Sequence, residues 1–248
     1  MSEKNFKLTI QYLGTPYNGW QYQPNRPSVQ GEIESAFIKI LHKNKQNINL
    51  IGSGRTDSGV HAIGQIANII INTDLSSNDL KNALNANLSN NIFIKSCEEV
   101  NLDFHSRFSA IKRSYFYKIS QKYSPFLNNR EWFNESSLDL DLLDYSAKSI
   151  LGNHDFTLLS KFNPDLKNRE CVIHESYWSF VDNKLIYNIT SNRFLHHMVR
   201  YIVGTMIEVA KQNILMDDFL DLLNNRESGC PIFRAPSDGL YLNKVYYE

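Results

Sequence analysis

Apolar and polar residues alternate at the start of the chain. Phe6, Leu8, Ile10 and Tyr12 fall on every second position, the period of a half-buried strand. The period then lengthens. Ile33, Ala36, Phe37, Ile40 and Leu41 stand at i, i+3, i+4, i+7 and i+8, which predicts a helix with one apolar stripe, and Ser28 is placed to cap it. A strand-like end at Ile48 and Leu50 leads into a loop from Gly52 to Ala62, and the β-branched run Ile66, Ile69, Ile70 and Ile71 leads out. Ser76 is placed to cap a second helix bearing Leu80, Ala83, Leu84 and Leu88, and a short strand follows around Ile92 and Ile94. Strand–helix–strand–strand–helix–strand predicts an α+β unit with helices packed on a sheet.

The stretch Phe104-His105-Ser106-Arg107-Phe108-Ser109-Ala110 reads as the join between two halves, 1–105 and 106–248. Beyond it Tyr115, Tyr117 and Ile119 alternate as a strand. A third helix is expected over the Leu140–Leu151 region, stopping at Gly152. Cys171–Val181 and Lys184–Thr190 read as a hairpin turning at Asp182-Asn183. A fourth helix opens at Phe194 with a core stripe of Met198, Tyr201, Ile202, Thr205, Met206 and Val209, which puts His196, His197 and Arg200 on one neighbouring face. A fifth helix carries Phe219, Leu220 and Leu223, and Gly239-Leu240-Tyr241-Leu242 begins a closing strand. The second half thus has the β-β-α-β flavour of the first, with no residue-level repeat.

At 248 residues the chain has room for one large or two modest domains. Its 42% hydrophobic and 12% aromatic content is that of a globule rather than a disordered or fibrous chain. The first residues precede a strand and not an apolar leader, and no run is long enough to cross a bilayer, so neither secretion nor a membrane is expected. Cys97, Cys171 and Cys230 are odd in number and widely spaced, with no Cys-x-x-Cys pair, which fits a reducing cytoplasm better than a disulfide or zinc framework. The 26 basic and 26 acidic side chains cancel, which argues mildly against a nucleic-acid partner. Their distribution softens that objection, because Arg55, Arg107, Lys112, Arg113, Arg193, Arg200 and Arg234 lie in the motif-like stretches while many acids fall elsewhere.

Chemistry concentrates in the first loop, Gly52-Ser53-Gly54-Arg55-Thr56-Asp57-Ser58-Gly59-Val60-His61-Ala62. Its glycines, with Gly64, permit positive φ or close approach of another chain. It carries one carboxylate, Asp57, two residues from a guanidinium, Arg55. A lone Asp there is, on the loop alone, a turn former bonding its own backbone. The aromatic-rich loop from Gly14 to Pro24 reads equally as a packed clamp or as a stacking surface for bases. His196-His197 lacks a third ligand at a matching spacing, so no metal is expected. Gly52-Ser53-Gly54 is no nucleophile elbow, and no phosphate-binding, dinucleotide or zinc-deaminase pattern is present.

Together these stretches resemble the TruA family of tRNA pseudouridine synthases. Gly54 to His61 is similar to the family's Gly-Arg-Thr-Asp-x-Gly-Val-His, and Tyr17 to Gln23 to its Tyr-x-Gly-Trp-Gln-x-Gln. Ser28-Val29-Gln30-Gly31-Glu32, Ala83 to Leu88, Phe104 to Ala110 with Arg113-Ser114-Tyr115, Asn192 to Arg200, and Gly239 to Leu242 follow in the family's order. Ser58 stands where alanine is commoner and Ser89 where proline is usual, and the net charge is less basic than such an enzyme suggests.

The resemblance implies an α+β fold of two similar halves whose mixed, mainly antiparallel sheet is shared across a central cleft. It implies isomerisation of uridine to pseudouridine at tRNA positions 38, 39 and 40, without a cofactor, by a cytoplasmic homodimer. Asp57 is then the nucleophile or base, attacking C1′ or removing the 2′ proton. Arg200 pairs with it, Tyr115 stacks on the uracil and relays the C5 proton, Arg55 keeps the nucleotide extruded, and Leu242 joins them at the substrate. Trp20, Gln21, Arg107, Arg113, Arg193, His196 and His197 are the candidate RNA contacts. A tRNA-binding module without catalysis, and a nucleosidase that releases free base, are the other readings.

Overall fold

The apolar alternation of the first residues becomes β1 (Glu3–Tyr12), which hides Phe6, Leu8 and Ile10 completely. The computed structural model describes residues 3–42, 48–182, 184–226 and 229–248. The chain divides into two compact units, Met1–Ile111 with Tyr241–Glu248, and Lys112–Leu240. Where the sequence suggested a join at 105/106, the units part after Ile111, and the last eight residues return to the first.

In the first unit β1 is followed by α1 (Val29–Leu41), β2 (Ile51–Gly52), β3 (His61–Asn72), α2 (Ser77–Asn87) and β4 (Ile92–Val100). Strand β1 lies between β4 and β3, antiparallel to both, with Leu8 opposite Ala67 on one side and Cys97 on the other. The closing strand β10 (Leu240–Tyr246) runs parallel to β3, with Tyr241 opposite His61 and Leu242 opposite Ala62. Ser28 and Ser76 cap the two helices as expected, accepting from the Gly31 and Asp79 amides. Helix α1 buries Ile33, Ala36 and Phe37 of the predicted stripe together with Val29 and Glu34, leaves Ile40 and Leu41 half-buried, and α2 lies along β4.

Three details differ from the sequence reading. The lead-in at Ile48 and Leu50 is buried chain, and the strand itself is only Ile51–Gly52. The strand past the Asp57 loop opens at His61, inside the stretch that read as loop. Strand β4 continues to Val100, because Glu98 and Glu99 pair with Lys7 and Lys4 of β1 instead of facing a core. Charged side chains on the outermost strand also blunt its open edge.

The second unit holds β5 (Lys112–Ser120), β6 (Trp132–Phe133), α3 (Leu140–Ser149), β7 (Gly152–Asp155), β8 (Glu170–Val181), β9 (Lys184–Ser191), α4 (Met198–Ala210) and α5 (Met216–Leu223). Its strands are ordered β5-β9-β8-β7, antiparallel throughout, with β6 added parallel to β5. Among the described residues the molecule is therefore α+β, with five α-helices and mixed, mostly antiparallel strands. Tyr117 and Tyr187, opposite each other on β5 and β9, are completely buried, and α3 packs on β8, α4 and α5.

Helix α3 ends at Ser149, and Gly152, expected as its terminator, instead opens β7 at φ 98°. Helix α4 begins at Met198 and not at Phe194, because His197 takes φ 63°, which no helix continues through. It is buried on nearly every side, which the single predicted stripe understated. In α5 it is Leu222, not Leu220, that joins Phe219 and Leu223 in the core. The β8–β9 turn includes Asp182 at φ 50°, while Asn183, its other expected residue, lies outside the described residues. Among the described residues no helix is long and apolar enough to cross a membrane.

Candidate active site

Asp57 sits on a turn whose shape is dictated from outside. On its entry side, Ser53 donates its amide to Ile66 O at 2.7 Å and its hydroxyl to Gln65 Oε1 at 2.7 Å. Gln65, wholly buried, also donates Nε2 to Gly54 O at 3.0 Å. One side-chain amide thus holds both residues that precede Arg55. At the centre, Thr56 O accepts the Trp20 amide at 3.1 Å, and Thr56 Oγ1 lies 2.8 Å from the Tyr12 hydroxyl. On the exit side, Gly59 takes φ 79°, the Val60 amide donates back to Asp57 O at 3.1 Å, and Gly59 N donates to Tyr17 O at 3.4 Å. The His61 ring accepts the Gly14 amide at Nδ1, 3.0 Å, and stacks on Tyr241 at 4.6 Å.

Close approach explains the glycines more than torsion does. A Cβ on Gly14 would lie 2.0 Å from Val60 O, and one on Gly19 2.6 Å from Thr56 O. Residues 12–20 therefore press directly against residues 56–61, and the strand–turn–strand bearing Asp57 is pinned along its length. Asp57 itself is half-buried and Arg55 exposed.

Trp20 does not serve as an exposed stacking ring. It is 3% exposed, tilted against Tyr12 at 6.1 Å, and so close to Gly52 that a Cβ there would meet Nε1 at 2.5 Å. The packed-clamp alternative holds for Trp20, and the exposed surface from Tyr17 to Tyr22 is left to Gln21 and Tyr22. Leu242, on β10 opposite Ala62, is 1% exposed.

Arg107 occupies the 101–109 loop, tied down by a buried amide network. Asn5 Nδ2 donates to Asn101 O and Phe104 O, both at 2.9 Å. Asn68 Nδ2 donates to Asn5 Oδ1 at 3.0 Å, and Asn68 Oδ1 accepts the Ser106 amide at 2.9 Å. The Tyr247 hydroxyl closes the network on Ser106 O at 2.7 Å. The result is an exposed corner where the His105 and Phe108 rings lie 4.3 Å apart and the Arg107 guanidinium stands 5.6 Å from Phe108.

The second unit gathers the other candidates. Tyr115, half-buried on β5, is met edge-on by Phe194 at 5.0 Å. Two strand positions earlier Arg113 donates to Asn192 O at 3.1 Å, next to half-buried Arg193. Arg200 lies in the first turn of α4, where its Nε donates to Ala235 O at 2.8 Å and its own carbonyl accepts the Ala235 amide at 2.9 Å. That double tie fixes the start of the guanidinium chain, and Gly204 lets the 233–235 segment come close, since a Cβ there would meet Phe233 O at 2.4 Å. His196 and His197 precede the helix and do not share its face with Arg200; their rings are 4.0 Å apart, and Arg234 stands 3.0 Å from His197 Nδ1.

Sequence reasoning missed the polar residues that hold these groups: Tyr12, Gln65, Asn5, Asn68 and the paired carbonyl of Ala235. The legible signal was Gln65 and Asn68 interrupting an otherwise apolar strand, since an uncharged polar group in such a run is buried only with partners.

The pattern that defines the tRNA pseudouridine synthase family matches residues 8–109 and 146–248, and the chain belongs to that family of isomerases. Tyr115 and Arg113 fall between the two matched stretches, while Asp57, Arg107, Arg200 and Leu242 fall within them. Nearly the whole chain is similar to proteins named tRNA pseudouridine synthase A. The one from Hydrogenobaculum sp. is 42% identical, covering 98% of this chain and 100% of its own. Those from Finegoldia magna and Borreliella afzelii are 37% and 38% identical, over 98% and 99% of this chain and 100% of each.

Proposed function

We propose that this chain converts uridine to pseudouridine at positions 38, 39 and 40 of the tRNA anticodon stem-loop, with Asp57 as the reacting carboxylate. The reaction breaks the C1′–N1 bond, turns the uracil and joins C5 to C1′; the C5 proton is lost and N1 gains one, so nothing is added or removed overall. An ionised carboxylate beside C1′ stabilises or captures the positive charge that grows there. On the covalent route Asp57 forms an ester to C1′ as N1 departs with the bonding pair, and C5 later displaces it. On the glycal route the same oxygen removes the 2′ proton.

In this reading the unit of residues 1–111 and 241–248 supplies Asp57, Arg55 and Leu242, and the unit of residues 112–240 supplies Tyr115 and Arg200. Arg200 orients the carboxylate. Tyr115 stacks on the detached uracil and moves the C5 proton. Arg55 keeps the nucleotide out of its stem, at the cost of unstacking it. Gln21, Arg107, Arg113, Arg193, His196 and His197 line the RNA path, in a cytoplasmic homodimer whose two copies share one tRNA.

The observation that carries the reading is the Asp57 turn itself. A turn-forming Asp needs no support beyond its own backbone bond, whereas this turn is held at Ser53, Gly54, Thr56 and Gly59 by Ile66, Gln65, Tyr12, Trp20 and Tyr17. Rigid placement of one charged group is what a reaction needs and what a surface turn does not. Incubating the purified protein with anticodon stem-loop RNA and mapping pseudouridine base by base tests it. Pseudouridine at 38, 39 or 40 is expected; binding without product would leave a tRNA-binding module, and release of uracil a nucleosidase.

A further inference from the structure

Tyr17 reaches from the Asp57 turn to two helices. It is 5% exposed. Its carbonyl oxygen accepts the Ser58 hydroxyl at 3.2 Å and the Gly59 amide at 3.4 Å, so it is bonded to both residues that follow Asp57. Its own hydroxyl donates to Glu32 Oε2 at 2.6 Å and lies 3.0 Å from Ser89 Oγ, whose proton it is free to accept. The other Glu32 oxygen takes the Ser89 amide at 2.8 Å. Phenol, carboxylate and serine form a closed ring of three bonds. Glu32 stands in the first turn of α1 and Ser89 just past the end of α2, so the ring anchors the turn to both helices of its unit. Burial first, and the bond to Glu32 second, push the phenol well above its ordinary range, so it stays a donor.

Ser58 and Ser89 each add a bond to this residue. An alanine at 58 has no hydroxyl for Tyr17 O. A proline at 89 has neither the Oγ that meets the phenol nor the N–H that meets Glu32.

We propose that Tyr17 is a positioning residue for Asp57, and that Ser58 and Ser89 act through it from opposite ends. Its carbonyl fixes the side chain one residue beyond the carboxylate and the main chain two residues beyond it, and its hydroxyl ring fixes the carbonyl. This rests on the reading of Asp57 as the reacting group. A reacting group displaced by ~1 Å loses on the order of a hundredfold in rate, and loosening one of several ties loses part of that.

The full-length protein is compared with Tyr17→Phe, Ser58→Ala, Ser89→Ala and the double serine variant. Four quantities are read: single-turnover pseudouridine formation at saturating tRNA, tRNA affinity, thermal midpoint, and hydrogen exchange at Gly59 and Val60. Tyr17→Phe is expected to slow the single-turnover step about tenfold, with affinity within about twofold and faster exchange at both amides. Each serine variant is expected to do less, and the double variant to differ from the product of the singles because both act through one residue. An unchanged rate in Tyr17→Phe, or loss of affinity in place of rate, overturns the proposal, as do serine effects that multiply independently. If Tyr17→Phe does not fold, the serine variants, which each delete one hydroxyl, decide the matter. If the wild type itself makes no pseudouridine, the reading of Asp57 has failed, and the exchange at Gly59 and Val60 still decides whether Tyr17 holds the turn.

Discussion

Asn68→Ala tests the amide network that carries the Arg107 loop. Asn68 is 2% exposed, Asn5 and Ser106 are fully buried, and the substitution removes both ends of the link between them. Asn5 Oδ1 loses the donor it meets at 3.0 Å, and the Ser106 amide loses the acceptor it meets at 2.9 Å. Each buried group left without a partner costs ~1–3 kcal/mol, and a water entering the vacated space recovers part of it. Taking ~1.5 kcal/mol for each gives ~3 kcal/mol of lost stability. In a chain of this size that lowers the melting temperature by ~6–12 °C. Urea titration followed by circular dichroism measures it, and an Asn5→Ala/Asn68→Ala double variant supplies the control. Because the two amides share a bond, the double loss is expected to fall short of the sum by ~1 kcal/mol. A loss below ~1 kcal/mol for Asn68→Ala, against the ~1–3 expected of even one orphaned group, or strict additivity in the pair, would refute the reasoning.

Two further outcomes are expected. Arg107→Ala removes an exposed cation at the 101–109 corner and should weaken tRNA binding while lowering the slope of log affinity against log salt by about one; nitrocellulose binding across a salt series checks it. Burial pushes the Cys97 thiol up to about 12 and the Cys171 thiol up to about 11, so both stay neutral as pH rises through the ordinary thiol range. Since the thiolate is the reactive form, Cys97 should alkylate about a thousandfold more slowly than an unfolded thiol at pH ~8.5, read by mass spectrometry with and without urea. The same shift makes folding less favourable above that pH, because the unfolded chain gives up its proton first.

The order of elements was legible because burial in this chain is periodic. Both helix caps in the first unit and the stripe of α1 followed directly from spacing. What escaped were features set by contacts distant in sequence. Strand β4 outran its apolar residues because Lys4 and Lys7 stand beside it, and no local pattern in Glu98-Glu99 announces that pairing. Helix α4 starts four residues late because His197 adopts a left-handed backbone with Arg234 beside its ring, an arrangement formed by residues 37 apart. At the site, Asp57 and its glycines were evident from the motif, and both uses expected of the glycines occur, close approach at Gly52 and Gly64 and positive φ at Gly59. Gly14, Gly19 and Gly52 are there for contact with Val60, Thr56 and Trp20, and only Gly19 and Gly59 of the loop and its clamp use positive φ. Trp20 could be read two ways from sequence, and only its packing against Gly52 decided between them.

In the proposed function the Asp57 carboxylate reacts at the sugar of a tRNA uridine. Asp57→Asn keeps the shape of the turn, whose bonds at Gln65, Thr56, Tyr17 and Val60 run through other atoms or through the backbone. The direct measurement is tritium release from uridine C5 in anticodon stem-loop RNA under single-turnover conditions, with folding and RNA affinity confirmed in parallel. A folded, RNA-binding variant that releases no tritium above background is the predicted result. Release at a rate near that of the wild type would contradict the account.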